Sequence, residues 1–331
     1  MIFASVPVSR AGRQGALVAA VALIAAAPFF LGGYALHLAV SGGLMALSAM
    51  ALTVLSGSAG LPSLGTAAFL AIGAFSAGML STRFGLGLLP AAAAAAGLGL
   101  VAGALVAILT LRVSGLYLAV GTLALQYLVH ILAAELDLKF TYAAGFVLED
   151  PVVLGLPISS PERWWALVLV VLALVHGLFR ALQASHIGRA WVFQRTEPTA
   201  AGALGVAVSR SRVGVFALTS AVIAAAGALD GYRLGNVQAS IYTLQLAVVY
   251  LTVAALGGAG NLKGAIAASY LVILLPGIIV ATLEALSLDA TSRVAGLENV
   301  VIGLILILAL RRVPQKLTAR LSRRRTRHVE G

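Results

Sequence analysis

A chain of 331 residues that is 61% hydrophobic and 10% charged cannot be an ordinary soluble domain, in which about 25% of residues are charged; it reads as a polytopic membrane protein. The net charge of +11 raises nucleic acid as a partner, but eight basic residues lie between Arg311 and Arg327, just past the last apolar segment, where a cytoplasmic tail on anionic lipid carries them. The absence of cysteine excludes a disulfide framework and thiolate chemistry.

A membrane span takes about 20 apolar residues, fewer when it is short or re-entrant. Ten candidates follow in chain order: 15–31, 35–55, 63–81, 88–110, 114–132, 164–182, 210–229, 245–260, 264–282 and 297–311. The expected fold is therefore an all-α polytopic integral membrane protein with about ten transmembrane or re-entrant helices. Its layout is a cytoplasmic N-terminus over 1–14, a membrane domain over 15–311 and a basic cytoplasmic tail over 312–331. Arg10 and Arg13 before an Ala-rich run suit a signal peptide. The run is long, however, and only Gly32, Gly33 and Tyr34 separate it from the next span, so we expect a retained span.

Most of the 36 glycines fall in or beside spans, where small residues let helix backbones approach closely. Two clusters differ. Ser56–Gly65 (SGSAGLPSLG) and Gly257-Gly258-Ala259-Gly260-Asn261 are poor helix formers between apolar runs. The second is either a tight cytoplasmic turn or a helix break beside a pathway, and the first is its rough counterpart. Paired interrupted segments in two halves can mark a transport site. In the fifth candidate span, Thr122 and Gln126 lie one turn apart; they face either a polar path or a neighbouring helix to which they hydrogen-bond.

The longest polar stretch in the middle of the chain runs from Ser185 to Arg212, with five arginines from Arg180 onward and Glu197 as its single acid. With this loop in the cytoplasm, the cytoplasmic segments hold 17 Lys and Arg and the outer ones five. Nine of the eleven acids fall outside. That asymmetry obeys the positive-inside rule and places both termini in the cytoplasm (N-in/C-in). The outer loop 133–163 is acidic and holds Pro151, Pro157 and Pro161.

No G-x-x-x-x-G-K-[ST] sequence is present, so any ATP is held by a partner. The five histidines form no H-E-x-x-H motif and suggest no metal site. No span centre carries Asp, Glu, Lys or Arg. This argues against an ion-coupled secondary carrier, the rival reading, and against an intramembrane hydrolase.

Four segments resemble the permeases of branched-chain amino acid ABC transporters. They are Ser63–Gly73 (SLGTAAFLAIG), Arg112–Leu125 (RVSGLYLAVGTLAL), Gly188–Leu204 (GRAWVFQRTEPTAAGAL) followed by Gly205, and Leu256–Gly264 (LGGAGNLKG). They occur in family order, and the G-L-Y-L-A and G-R-A-W patterns resemble its LivM-type branch. Thr66 stands where the family often has His, Pro62 where Gln is common, Phe75 where Tyr is common, Thr196 where an acid is common, Asn261 where Ser is common and Ala265 where Pro is frequent.

The resemblance implies a transporter subunit rather than an enzyme, in a bacterial cytoplasmic (inner) membrane. Its implied partners are two cytoplasmic ATPases that bind ATP and magnesium, a second related permease and an extracytoplasmic solute-binding protein, with membrane lipids around it. The cargo is branched-chain amino acids or, as in other members, urea, amides or aromatic acids. Gly188, Arg189, Arg195, Glu197, Ala200, Ala201 and Gly205 become an ATPase-coupling segment containing one short helix. Its Ala200, Ala201, Ala203 and Leu204 would give a small docking face, and Arg189 and Arg195 would meet lipid phosphates or acids on the ATPase. Ser63, Thr66, Thr122, Gln126, Gly257, Gly258, Gly260 and Asn261 become candidates for the translocation pathway or its helix breaks.

Overall fold

The computed structural model describes residues 32–111, 115–153 and 155–285, together with Gly303. The candidate spans 15–31 and 297–311, the N-terminal segment 1–14 and the tail 312–331 lie outside the described residues, apart from Gly303.

The described chain is a helical bundle. In order it forms α1 (Gly33–Thr53), α2 (Thr66–Phe84), α3 (Leu88–Leu109), α4 (Leu116–Thr141), α5 (Pro161–Ala184), α6 (His186–Thr196), α7 (Pro198–Ala203), α8 (Val208–Leu234), α9 (Leu244–Gly257) and α10 (Leu262–Ala285). Among the described residues, six helices are long and apolar enough to cross a membrane: α1 with the turn that follows it, α2, α3, α4, α5 and α8. α9, with 14 residues, is shorter. Four two-residue strands lie between the helices and pair as short antiparallel ladders: Phe146–Val147 with Asn236–Val237, and Val152–Val153 with Leu156–Pro157.

α1 is the central post, and its sequence explains why. It is apolar on every side, which suits a helix enclosed by others, and every residue from Gly42 to Thr53 is buried. Gly42 and Gly43 leave room for the Tyr270 ring of α10 and for Val168 of α5. α8 is the second interior helix and packs against α2, α3 and α1. A Cβ at Gly73 of α2 would overlap the Ala224 backbone of α8, and one at Gly227 of α8 would overlap Leu70 of α2. Gly99 and Gly103 of α3 meet Ala224 and Ser220 in the same way. Lipid supplies no hydrophobic drive between helices, so this close backbone packing is what holds them together. α3, α4 and α5 bury only one side and leave large apolar side chains such as Leu105, Ile131 and Leu174 exposed.

The long helices run alternately between two ends of the bundle. One end gathers the turn at 85–87, the segment 142–160 and the segment 235–243: Tyr232 Oη donates to the Leu86 carbonyl and Leu148 N to the Gly235 carbonyl. The other gathers the segments 54–65, 185–207 and 257–261. Arg180, Arg189, Arg195, Arg210, Arg212 and Lys263 lie at the second end with Glu197 as the acid. Glu135, Asp137, Glu149, Asp150, Glu162 and Asp230 lie at the first, with Arg83, Lys139, Arg163 and Arg233. We call them the basic end and the acidic end.

α4 runs nine residues past the boundary expected from hydropathy, Leu132. Charge ends an apolar window without ending a helix, and Glu135, Leu136 and Lys139 are all good helix formers. Asp137 closes this extension. Its Oδ1 accepts from Thr141 Oγ1 at 2.5 Å and from Gly145 N at 3.1 Å, and its Oδ2 accepts from Ala239 N at 3.1 Å. Those bonds tie the end of α4 to the segment after α8. They also surround Tyr142 and Ala143, which take positive φ of 54° and 65°, a conformation that surrounding contacts must impose.

Candidate functional site

The basic end carries the polar loop as two helices where one was expected. Ser185 is the elbow. Its Oγ donates to the Leu182 carbonyl at 2.7 Å and accepts from Ile187 N at 3.2 Å, which starts α6. Gly188, Trp191 and Gln194, three residues apart, form the buried side of α6. This period of three was legible in the sequence as one face of a helix. Gln194 is buried, and neither amide atom has a hydrogen-bond partner among the described residues.

α7 matches the expected short helix. Glu197 precedes it and its carbonyl accepts from Ala201 N at 3.0 Å; Pro198 occupies the first turn, where its missing N–H is harmless. Gly205, at φ +85°, follows the last turn and ends it as a left-handed glycine does. Ala200, Ala203 and Leu204 are exposed. Ala201 is fully buried and faces the chain itself, so it is no part of an outward surface. Ile187, Val192 and Phe193 of α6 extend the exposed apolar face. In the sequence these three stand inside the polar loop.

The two arginines behave differently. Arg189 is exposed and donates to the Ala184 carbonyl at 3.1 Å. Arg195 is exposed as well, but its guanidinium donates to the Gly57 carbonyl and its stem lies over Gly60. It therefore joins α6 to the first glycine cluster.

That cluster is irregular for a physical reason. α1 ends in a wide π turn, Val54–Ser58, of the kind often found where helices serve function. The chain then stays non-helical until α2 begins at Thr66. The second cluster is a tight turn from α9 to α10, with Gly258 at φ +85° and Gly260 at φ +75°. Asn261 N donates to the Gly258 carbonyl at 3.1 Å, and the Asn261 carbonyl accepts from Ala265 N at 3.0 Å. The two clusters touch directly: a Cβ on Gly57 would fall on the backbone of Ala259 and Gly260. Gly257 lies equally close to Gly264 and Ala265. The sequence pairing of the two clusters thus corresponds to contact in space.

Ser63, Thr66, Thr122 and Gln126 lie where α2 and α4 meet and are all buried. Ser63 Oγ accepts from Gly65 N at 3.2 Å. Thr122 Oγ1 accepts from Leu64 N at 2.9 Å, and Gln126 Nε2 donates to the Tyr242 carbonyl at 3.1 Å. Inter-segment hydrogen bonding is therefore present at both α4 residues. Polar capacity remains: Thr66 Oγ1, Gln126 Oε1 and the Tyr242 hydroxyl are buried without a partner among the described residues. Burial pushes the Tyr242 phenol well above its ordinary value, so it stays neutral. None of these groups is charged, so they can exchange hydrogen bonds with a polar solute without supplying a fixed ion.

Residues 34–310 match the family model described as branched-chain amino acid transport system / permease component. The chain is 28% identical over 284 residues to the high-affinity branched-chain amino acid transport system permease protein LivM of Escherichia coli (strain K12), a match covering 78% of this chain and 66% of that protein. The LivM protein of Salmonella typhimurium (strain LT2) matches with the same identity and coverage. The chain thus spans just under two thirds of the length of these curated relatives. No solved structure matches it.

Proposed function

The chain belongs to the family of branched-chain amino acid transport permease components, and from that premise we propose that it forms the membrane pathway of an ATP-driven importer. The cargo is a small polar solute, with branched-chain amino acids first. The observation that carries the reading is the basic end: an exposed apolar face on α6 and α7, bounded by Arg189 and Glu197, that projects from a bundle whose sequence has no nucleotide-binding loop. A surface of that kind suits an ATPase docked from the cytoplasm.

In this reading two ATPases hold ATP and magnesium, a related permease completes the pathway, and a solute-binding protein delivers cargo to the acidic end. The positive-inside rule puts the basic end in the cytoplasm. The first and last expected spans then bring both termini to that side, giving ten crossings in a bacterial inner membrane, with soluble segments over 1–14 and 312–331. Closure of the ATPases moves α6 and α7, and the helices around Thr66, Gln126 and Tyr242 exchange outward and inward access. Ser63 and Thr122 shape the same junction, and Gly257, Gly258, Gly260 and Asn261 provide its second break. Selection among amino acids, urea, amides and aromatic acids rests with the binding protein and with Pro62, Thr66 and Phe75, where this chain departs from its relatives' common residues.

The test is reconstitution with the two ATPases and binding protein. Replacement of Glu197 by Trp, or of Gly205 by Val, is expected to abolish solute-stimulated ATP hydrolysis while insertion and folding persist. A left-handed backbone costs a branched residue about 1–2 kcal/mol, too little to unfold the bundle. Normal stimulation in both variants would remove the docking assignment. Uptake driven by an ion gradient without ATP would replace the reading with a secondary carrier.

A further inference from the structure

Two backbone breaks meet at the basic end with few side chains of their own to hold them. At the first, Leu61 N turns back to the Leu55 carbonyl at 3.1 Å, so it does not serve the Gly57 carbonyl four residues before it. Arg195 of α6 donates to that carbonyl instead. Gly60, at φ +72°, is covered by the Arg195 stem: a Cβ there would stand 2.5 Å from Arg195 Cγ. Gln183, on the last turn of α5, joins both breaks. Its Nε2 donates to Ser58 Oγ at 3.1 Å and to the Gly260 carbonyl at 3.0 Å. Gln183 and Arg195 are carried by one elbow, because Ser185 bonds to both α5 and α6 and Gly188 packs on the Gln183 backbone.

We infer that Gln183 and Arg195 are positioning residues that clamp both glycine breaks to α6, so that the ends of α1 and α9 move with it. A buried or half-buried carbonyl bonded to a guanidinium is a stronger tie than a neutral pair. Backbones in direct contact transmit displacement rather than absorb it, since close-packed interiors have little slack. The clamp deepens the docking reading and rests on it for the last step, the response to ATP. It explains why the exposed Arg195 bonds to backbone rather than standing free and why two breaks far apart in sequence lie together.

The absence of cysteine allows one reporter. Ala59, buried in the first break between Gly57 and Gly60, is replaced by Cys and its maleimide labelling rate is followed in the isolated full chain in lipid nanodiscs. Adding Arg195→Ala or Gln183→Leu is expected to speed labelling by roughly tenfold, the opening that follows loss of one charge-assisted hydrogen bond or of a pair of neutral ones. Arg195→Lys, which keeps a cationic donor, is expected to fall between. Unchanged rates in Arg195→Ala and Gln183→Leu would overturn the clamp.

In the complex with its ATPases, ATP is expected to shift the labelling rate of Ala59→Cys alone and to shift it much less when either clamp residue is also replaced. An equal shift in all of them would overturn the transmission role. No shift in Ala59→Cys alone would remove the docking reading, while the nanodisc rates would already have decided the clamp. Thermal unfolding of each variant separates these outcomes from misfolding.

Discussion

At the residue scale, single side chains hold backbone that has no regular partner. Asp137 serves the acidic end as Arg195 serves the basic one. Both carboxylate oxygens are bonded, to Thr141, Gly145 and Ala239. Replacing Asp137 by Ala orphans the Ala239 N–H and leaves Gly145 N with Thr141 Oγ1 alone, and the loss is expected to be about 2 kcal/mol. Thermal unfolding in detergent should show it as a lowered midpoint, whereas Asp137→Asn, which keeps an acceptor, should lose less. A lone acid past the end of an apolar run is legible in the sequence, but its partners are not: Ala239 is 102 positions away.

At the element scale, α2, α3 and α8 are held by missing side chains. Gly73 and Gly227 occupy points where one backbone lies on another. Gly73→Leu should prevent α2 and α8 from seating and yield protein that is inserted but rapidly proteolysed. Gly214, with open space around its Cβ position, should accept Ala with a stability change under about 1 kcal/mol. The sequence marks both as glycines in helical context and cannot separate them, because the difference lies in what stands opposite. Trp191 shows the converse. It reads as an aromatic within a basic loop, yet the spacing of Gly188, Trp191 and Gln194 already held the face of α6.

For the whole molecule, the central quantity is the charge difference between the two ends. It sets the orientation of the bundle in the membrane. Single cysteines at Ala144, exposed at the acidic end, and Ala200, exposed at the basic end, should label with an impermeant reagent from opposite sides of sealed vesicles, Ala144 from outside the cell. The reverse pattern would invert the topology and leave α6 and α7 on the wrong side for an ATPase.

Hydropathy and charge alone determined that this chain lies in a membrane, roughly where each described span falls and which loop is polar enough to meet a partner. Those properties follow from transfer free energies and add up residue by residue along the chain. The contact between Gly57 and Gly260, the bond from Arg195 to Gly57, the burial of Ala201 and the bonding of Asp137 were decided only by tertiary structure. Each depends on which helix stands opposite. A hydrogen bond or a backbone contact belongs to a pair, and a linear sequence names only one member of the pair at a time.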